Sequence, residues 1–128
     1  PHILIDHHLD PDPTFTLNFS YPEASATCEL IHALTLSLGW EQHITSEVAT
    51  LLLTGIITDT GRFMYSHLSP ELFVTTSDLL ARGADYLHII DRLTYHNPEI
   101  QVRLQGYVLD QKLELYPELR AACIILTQ

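Results

Sequence analysis

The sequence predicts an α/β domain, a parallel sheet flanked by helices, of which this stretch is the mostly helical part. Three observations lead there. The apolar run Ile3-Leu4-Ile5 breaks abruptly into Asp6-His7-His8, as a buried strand does when it delivers polar side chains from its carboxyl end. A series of apolar-periodic segments follows, each with its own start and stop signals. And 128 residues with 46% apolar and 17% charged composition amount to about one small globular domain.

Ile3–Ile5 is the strand. A parallel strand needs neighbours, and nothing up to residue 112 reads as another buried strand, so its partners are expected upstream. The opening, without Met, basic n-region or signal peptide, also reads as an internal piece of a longer protein. Leu9 to Tyr21, with Pro11, Pro13 and Asn18, reads as a surface loop. A helix is expected from Pro22–Glu23 to Leu38, with Ala24, Cys28, Ile31, Leu34 and Leu38 on one face and Gly39 as its stop. Thr45 or Ser46 caps the next, whose stretch 48–53 is apolar nearly all round and so should be buried; it ends near 57–61.

Ser69-Pro70-Glu71 is a strong helix start: a hydroxyl cap, proline at the first position, a carboxylate in the first turn. That helix carries Leu72, Phe73, Leu79 and Leu80 and stops at Gly83. Tyr86 to Tyr95 reads as a shorter helix, and Asn97-Pro98-Glu99 opens another that runs to Lys112. From Leu113 the character changes, and 113–126 suggests two strands around a turn. Residues 1–112 therefore read as one domain's portion and 113–128 as the start of a second.

Six Lys/Arg against sixteen Asp/Glu give 6 − 16 = −10, which excludes a general electrostatic clamp on nucleic-acid phosphates. Phosphate chemistry stays open, because bound divalent cations supply positive charge locally. No window is long and apolar enough to span a membrane. Two cysteines, Cys28 and Cys123, are too few for a disulfide scaffold; they read as small buried hydrophobes in a reducing, cytoplasmic setting.

Two segments carry candidate chemistry. Imidazole and carboxylate in Asp6-His7-His8 are ligand types for manganese, iron, cobalt or zinc, with a solvated strand end as the other reading. On a regular strand His7 and His8 point to opposite sides, so one would bind metal and the other contact substrate, with Asp6 orienting them. In Gly55-Ile56-Ile57-Thr58-Asp59-Thr60-Gly61-Arg62-Phe63 an aspartate ends an apolar helix, where negative charge is disfavoured by about 0.3–1 kcal/mol. A cation is one compensating partner for Asp59; an Asp-based turn with Gly61 as helix stop is the alternative.

Together, Asp6-His7-His8, then Pro22-Glu23-Ala24-Ser25-Ala26-Thr27 at a helix start, then Thr58-Asp59-Thr60-Gly61-x-Phe63, and downstream Leu79-Leu80-Ala81-Arg82-Gly83-Ala84-Asp85, resemble the DHH phosphoesterase superfamily. The likeness is to its nanoRNase and pAp-phosphatase branch, RecJ-like and exopolyphosphatase-related, and covers nearly the whole chain. The resemblance implies that His7 and Asp59 are metal ligands, that His8 acts near the scissile phosphate, and that Asp6 helps build the catalytic cluster. It implies a two-manganese site, most of whose ligands lie outside this segment, and hydrolysis of short single-stranded RNA or a small phosphorylated nucleotide by an activated water. In the resemblance's terms, residues 1–112 are the C-terminal portion of a DHH domain and 113–128 open the DHH-associated domain. Other chemistries on the same core are cyclic-dinucleotide, pyrophosphate or polyphosphate hydrolysis, and a non-catalytic module is the rival outside the enzymes. A homodimer is an open option.

Arg62 departs from the small residue the family pattern carries after its glycine; it reads as a phosphate contact or an exposed arginine. Ser25 and Thr27 offer hydroxyls and backbone donors to a phosphate, or are ordinary first-turn residues. His67, a few residues past the Asp59 segment, reads as a surface or packing position, with lining of the cleft as the alternative. His32, His43 and His88 read as surface or packing positions, His96 as part of a cap, and Trp40, Phe63 and Tyr65 as core. The segment by itself is expected to be inactive and marginally stable.

Overall fold

A computed structural model of the chain describes residues 2–65 and 68–126. It is a mixed helix and strand structure with a small parallel sheet, and it clusters into two compact units, residues 1–89 and 90–128.

In the first unit, strand β1 (Ile3–Asp6) pairs in parallel with β2 (Leu17–Ser20) in the register Ile3↔Leu17 to Asp6↔Ser20. This corrects the expectation that residues 9–21 are loop throughout and that no strand partner lies within reach. Parallel neighbours normally need a crossover of a dozen or more residues, usually a helix. Here residues 7–16 return as a loop, turned where Asp12 Oδ1 accepts from the Thr14 backbone N–H and hydroxyl at 2.9 and 2.8 Å. Leu17 and Phe19 alternate with Asn18 and Ser20, but a four-residue alternation is too short to stand out against two prolines and an asparagine.

Helix α1 (Thr27–Ser37) begins four residues later than the spacing predicts, because residues 22–25 turn first, with Ala24 N–H donating to Tyr21 O at 3.0 Å. Its carboxyl end runs through Leu38 to Gly39. A short 3-10 turn (Glu41–His43) leads to α2 (Ser46–Asp59), capped by Thr45 as expected. Helix α2 is the centre of the unit: Ala49, Leu52, Leu53, Ile56 and Ile57 are buried. Its burial is one-sided, however, since Leu51 stays 71% exposed. α1 and α3 (Pro70–Ala81) pack on α2 and on each other, and α1 also lies against β1. Ser69 Oγ caps α3 by accepting from Leu72 N–H at 3.1 Å. Leu72 and Leu79 are buried, whereas Phe73 and Leu80 on the same helix are exposed.

The closeness of α1 to α2 has a local cause. A Cβ on Gly55 would stand 2.2 Å from Cys28 Sγ, so only glycine lets the two helices meet at this level. α1 is also tied to α3 by a polar cluster. Buried His32 meets Asp78 (Nε2 to Oδ2, 2.7 Å), and Arg82 Nε donates to the same oxygen at 2.6 Å while another of its nitrogens donates to Glu41 O at 2.9 Å.

Helix α4 (Tyr86–Thr94) follows; α5 (Glu99–Gln111) and an antiparallel hairpin of β3 (Leu113–Tyr116) and β4 (Ala121–Ile124) complete the second unit. The hairpin matches the two strands predicted for 113–126, closed by a 3-10 turn with Arg120 at φ +49°. Asn97 does not cap α5: its amide donates to Thr94 O at 3.0 Å, and Pro98 occupies the cap. Among the described residues of 90–126 none is buried, and Ile100 and Leu104 of α5 are exposed. Trp40 and Tyr65, expected in the core, are 54% and 64% exposed; Phe63 is partly buried and stacks on Phe73 at 5.5 Å. Cys28 is half-buried and Cys123 exposed, so neither is the fully buried hydrophobe expected.

Candidate metal centre

The end of β1 and the end of α2 meet. The strand stops at Asp6, and the chain bends through His7 and His8 instead of continuing its pleat. Asp6 causes the bend to close tightly. Its Oδ1 accepts from the His7 backbone N–H at 2.8 Å, from the His8 backbone N–H at 3.2 Å and from the His8 ring Nδ1 at 2.7 Å. The bond from the His8 ring is the main reason the Asp6 carboxyl sits below the usual carboxylate range. The alternation expected of a regular strand is therefore lost, and the two imidazoles lie on one side, centroids 4.5 Å apart and tilted by 46°.

His7 is held from both ends. Its Nδ1 lies 3.3 Å from Ala24 O, and a carbonyl can only accept, so Nδ1 donates there and the ring turns its Nε2 the other way. Nε2 faces Asp59, with Nε2 to Oδ2 at 3.7 Å. Two donors bound to one first-row cation at about 2.0–2.2 Å each stand at most about 4.4 Å apart. The spacing thus fits two positions of one coordination sphere, and a second ring nitrogen bonded to a backbone carbonyl is the usual support of a metal-ligating histidine. His8, by contrast, is exposed along most of its ring, which Asp6 holds through Nδ1.

Asp59 is the last residue of α2, and the backbone after it is unusual. Gly61, Arg62 and Phe63 have φ of +56°, +62° and +60°, three successive left-handed residues of which two carry side chains. Each such non-glycine residue costs about 1–2 kcal/mol. At Gly61 the space is also closed, since a Cβ would lie 2.3 Å from the Tyr65 ring. Cys28 lies close enough to Asp59 for that carboxylate to add to the effect of burial in raising its thiol pKa.

The remaining predicted site residues are spread around this junction. Ser25 is buried, and its backbone N–H donates to the Glu29 carboxylate at 3.0 Å, so the start of α1 already holds an anion of its own. Thr27 is the first residue of α1, behind Ala26, whose side chain makes no capping bond. Arg62 is exposed in the left-handed turn. His67 lies outside the described residues. Among the described residues no group of three His, Cys, Asp or Glu converges on one point. Sequence reasoning missed two positional residues, Gly55 and Ala24. The first was signalled by a glycine inside an apolar helix; the second acts through its backbone, which no side-chain pattern reveals.

Residues 1–56 match the DHH family, N-terminal domain. This stretch belongs to the DHH family. Over 108 residues the chain is 39% identical to the bifunctional oligoribonuclease and PAP phosphatase NrnA of Thermus thermophilus, covering 84% of this chain and 32% of that protein. Over 126 residues it is 33% identical to the probable enzyme of the same name from Streptococcus mutans, covering 98% of this chain and 39% of that protein. The crystal structure of an exopolyphosphatase-related protein from Bacteroides fragilis superposes with a TM-score of 0.89 at 36% identity, over 95% of this chain and 36% of the other. The chain thus spans about a third of the length of these relatives.

Proposed function

We propose that the whole protein is a manganese-dependent phosphoesterase of the DHH type, acting on short single-stranded oligoribonucleotides or 3′-phosphoadenosine 5′-phosphate. The observation that carries this is the pairing of His7 Nε2 with Asp59 Oδ2 at 3.7 Å, with the opposite ring nitrogen of His7 held at 3.3 Å by Ala24 O. Relatives named for oligoribonuclease and PAP phosphatase activity support the substrate class. A surface of net charge −10 favours small phosphorylated substrates over long duplexes.

In this reading His7 and Asp59 are metal ligands, with the other ligands outside this segment. Manganese, when bound, supplies Lewis-acid charge and a more acidic water. His8, steered by Asp6 through its Nδ1, presents its free ring edge to the phosphoryl oxygens and stabilises charge there. Arg62 and the α1 start at Ser25 and Thr27 are the substrate contacts of the proposal, Arg62 by charge and the others by their hydroxyls, since the Ser25 N–H is engaged by Glu29. Residues 113–128, where helix gives way to hairpin, open the DHH-associated domain. Both cysteines are free thiols, in keeping with a cytoplasmic setting, and no described helix is long and apolar enough to cross a membrane. A homodimer is the assembly we include, and light scattering checks it.

The test is hydrolysis by the whole protein of a short RNA and of 3′-phosphoadenosine 5′-phosphate, with manganese and after chelation. Metal-dependent release of mononucleotide or phosphate supports the proposal; no hydrolysis of either substrate with manganese overturns it. Terminal hydrolysis of polyphosphate on the same site is the second reading, favoured by the likeness to the Bacteroides fragilis structure. Including polyphosphate in the assay separates the two.

A further inference from the structure

The motif around Asp59 contains a buried hydroxyl that ligand chemistry leaves unused. Thr60 is 1% exposed, the most deeply buried polar side chain among the described residues. Its Oγ1 donates to Ile56 O at 2.7 Å, back into the last turn of α2, and accepts from the N–H of Phe63, the last left-handed residue, at 3.0 Å. Its backbone O accepts from both Met64 and Tyr65 N–H at 3.0 Å. One residue therefore fastens the end of the helix to the far end of the strained turn, next in chain to the carboxylate that faces His7. Thr58, on the other side of Asp59, differs: it is exposed, and its hydroxyl donates back to Thr54 O and Gly55 O of its own helix.

We infer that Thr60 is a positioning residue for Asp59, its hydroxyl holding the left-handed turn shut so that the carboxylate stays aimed at His7. The inference rests on the proposed role of Asp59 as a metal ligand. It follows from geometry: a helix end frays unless its terminal groups are partnered, and a turn with two side-chain-bearing residues at positive φ persists only where its surroundings over-determine it. Without the hydroxyl, Phe63 N–H loses its partner, the turn relaxes toward ordinary φ values, and Asp59 swings with it. Groups that orient metal ligands change metal affinity by about 10–100-fold when removed.

The experiment is manganese titration of the whole protein by calorimetry, beside its thermal midpoint, for Thr60→Val, Thr60→Ser, Thr58→Val and Asp59→Asn. Thr60→Val is expected to weaken manganese binding by about tenfold or more, while Thr60→Ser and Thr58→Val bind as the unaltered protein does. If valine prevents folding, Thr60→Ala reads the same quantity without added bulk. Unchanged affinity in the folded Thr60→Val or Thr60→Ala protein overturns the inference, even if its thermal midpoint falls, because Thr60 then serves stability alone. Equal losses from Thr60→Ser, or from Thr58→Val, also overturn it, since the hydroxyl at 60 would not be what matters. Asp59→Asn separates the two levels: if it binds manganese normally, the ligand reading itself fails; if it loses binding while Thr60→Val does not, only the positioning role fails.

Discussion

His7 Nε2 and Asp59 Oδ2 lie 3.7 Å apart, although one belongs to the end of a strand and the other to the end of a helix. The contact exists because α1 bridges the two elements, packing on β1 and, through the gap at Gly55, closely on α2. A direct consequence concerns metal binding. His7→Ala and Asp59→Asn are each expected to weaken manganese binding by the whole protein more than the roughly 10–100-fold typical of supporting groups, and to lower the rate at fixed metal accordingly. Calorimetric titration and phosphodiesterase assay check this; normal affinity in either variant counts against the site.

In the proposed mechanism Asp6 acts through His8. Replacing it in Asp6→Asn removes the charged acceptor that gathers three donors, and His8 then turns freely. The expected result is a fall in kcat of about 10–100-fold, as when orienting partners of catalytic groups are lost, with manganese affinity retained. A parallel loss of affinity would instead make Asp6 a ligand.

The Asp78 cluster should show in the acid limb of stability. Arg82 first, and His32 after it, hold the Asp78 carboxyl below its ordinary value. A carboxyl depressed in the folded state stabilises above the unfolded pKa of about 3.9, and this contribution is lost as pH falls through the folded value. Asp78→Asn should therefore be less stable at neutral pH, by about 1 kcal/mol after screening of this partly exposed group, and lose less on acidification below about pH 4. Denaturant midpoints from pH 7 to 3 check it; parallel curves would dismiss the cluster as a source of pH dependence.

Helix contact at Gly55 gives a packing prediction. Gly55→Ala forces α1 and α2 apart and should destabilise by about 1–3 kcal/mol, the usual range for overpacking. Adding Cys28→Ala removes the sulfur that the new methyl meets, leaving a Cβ at 3.2 Å, and should recover much of the loss. Thermal melts of the single and double variants give the coupling directly.

For the 128-residue chain alone, no manganese-dependent turnover is expected. His7 and Asp59 have no third carboxylate, imidazole or thiol converging with them among the described residues. An open apolar groove of about 380 Å³ lined by Ile5, Phe19, Tyr21, Leu30 and Leu34 also favours self-association. Circular dichroism with light scattering tests the second point; robust hydrolysis would refute the first.

Local chemistry made much of this legible in advance. Ser69-Pro70 and Thr45 start helices because a hydroxyl cap and a proline act within a few residues of themselves. The hairpin after Leu113 was readable for the same reason, through strand composition around a proline turn. β2 was not, since its pairing with β1 depends on where a loop returns rather than on its own four residues. Nor was the exposure of Trp40, Tyr65 and Leu51, because apolar character states a preference for burial and not whether a neighbour is there to provide it.

By itself the sequence determined the helices, the terminal hairpin and which side chains are candidates for the chemistry, the first two set by interactions between residues close in the chain. Only the tertiary structure decided that the two imidazoles lie side by side, that Ala24 O holds one nitrogen of His7, and that Asp59 faces the other. Those facts depend on the approach of α1 to α2 and on a left-handed turn held by Thr60, which are matters of packing and hydrogen bonding between segments distant in sequence or folded against their own propensity.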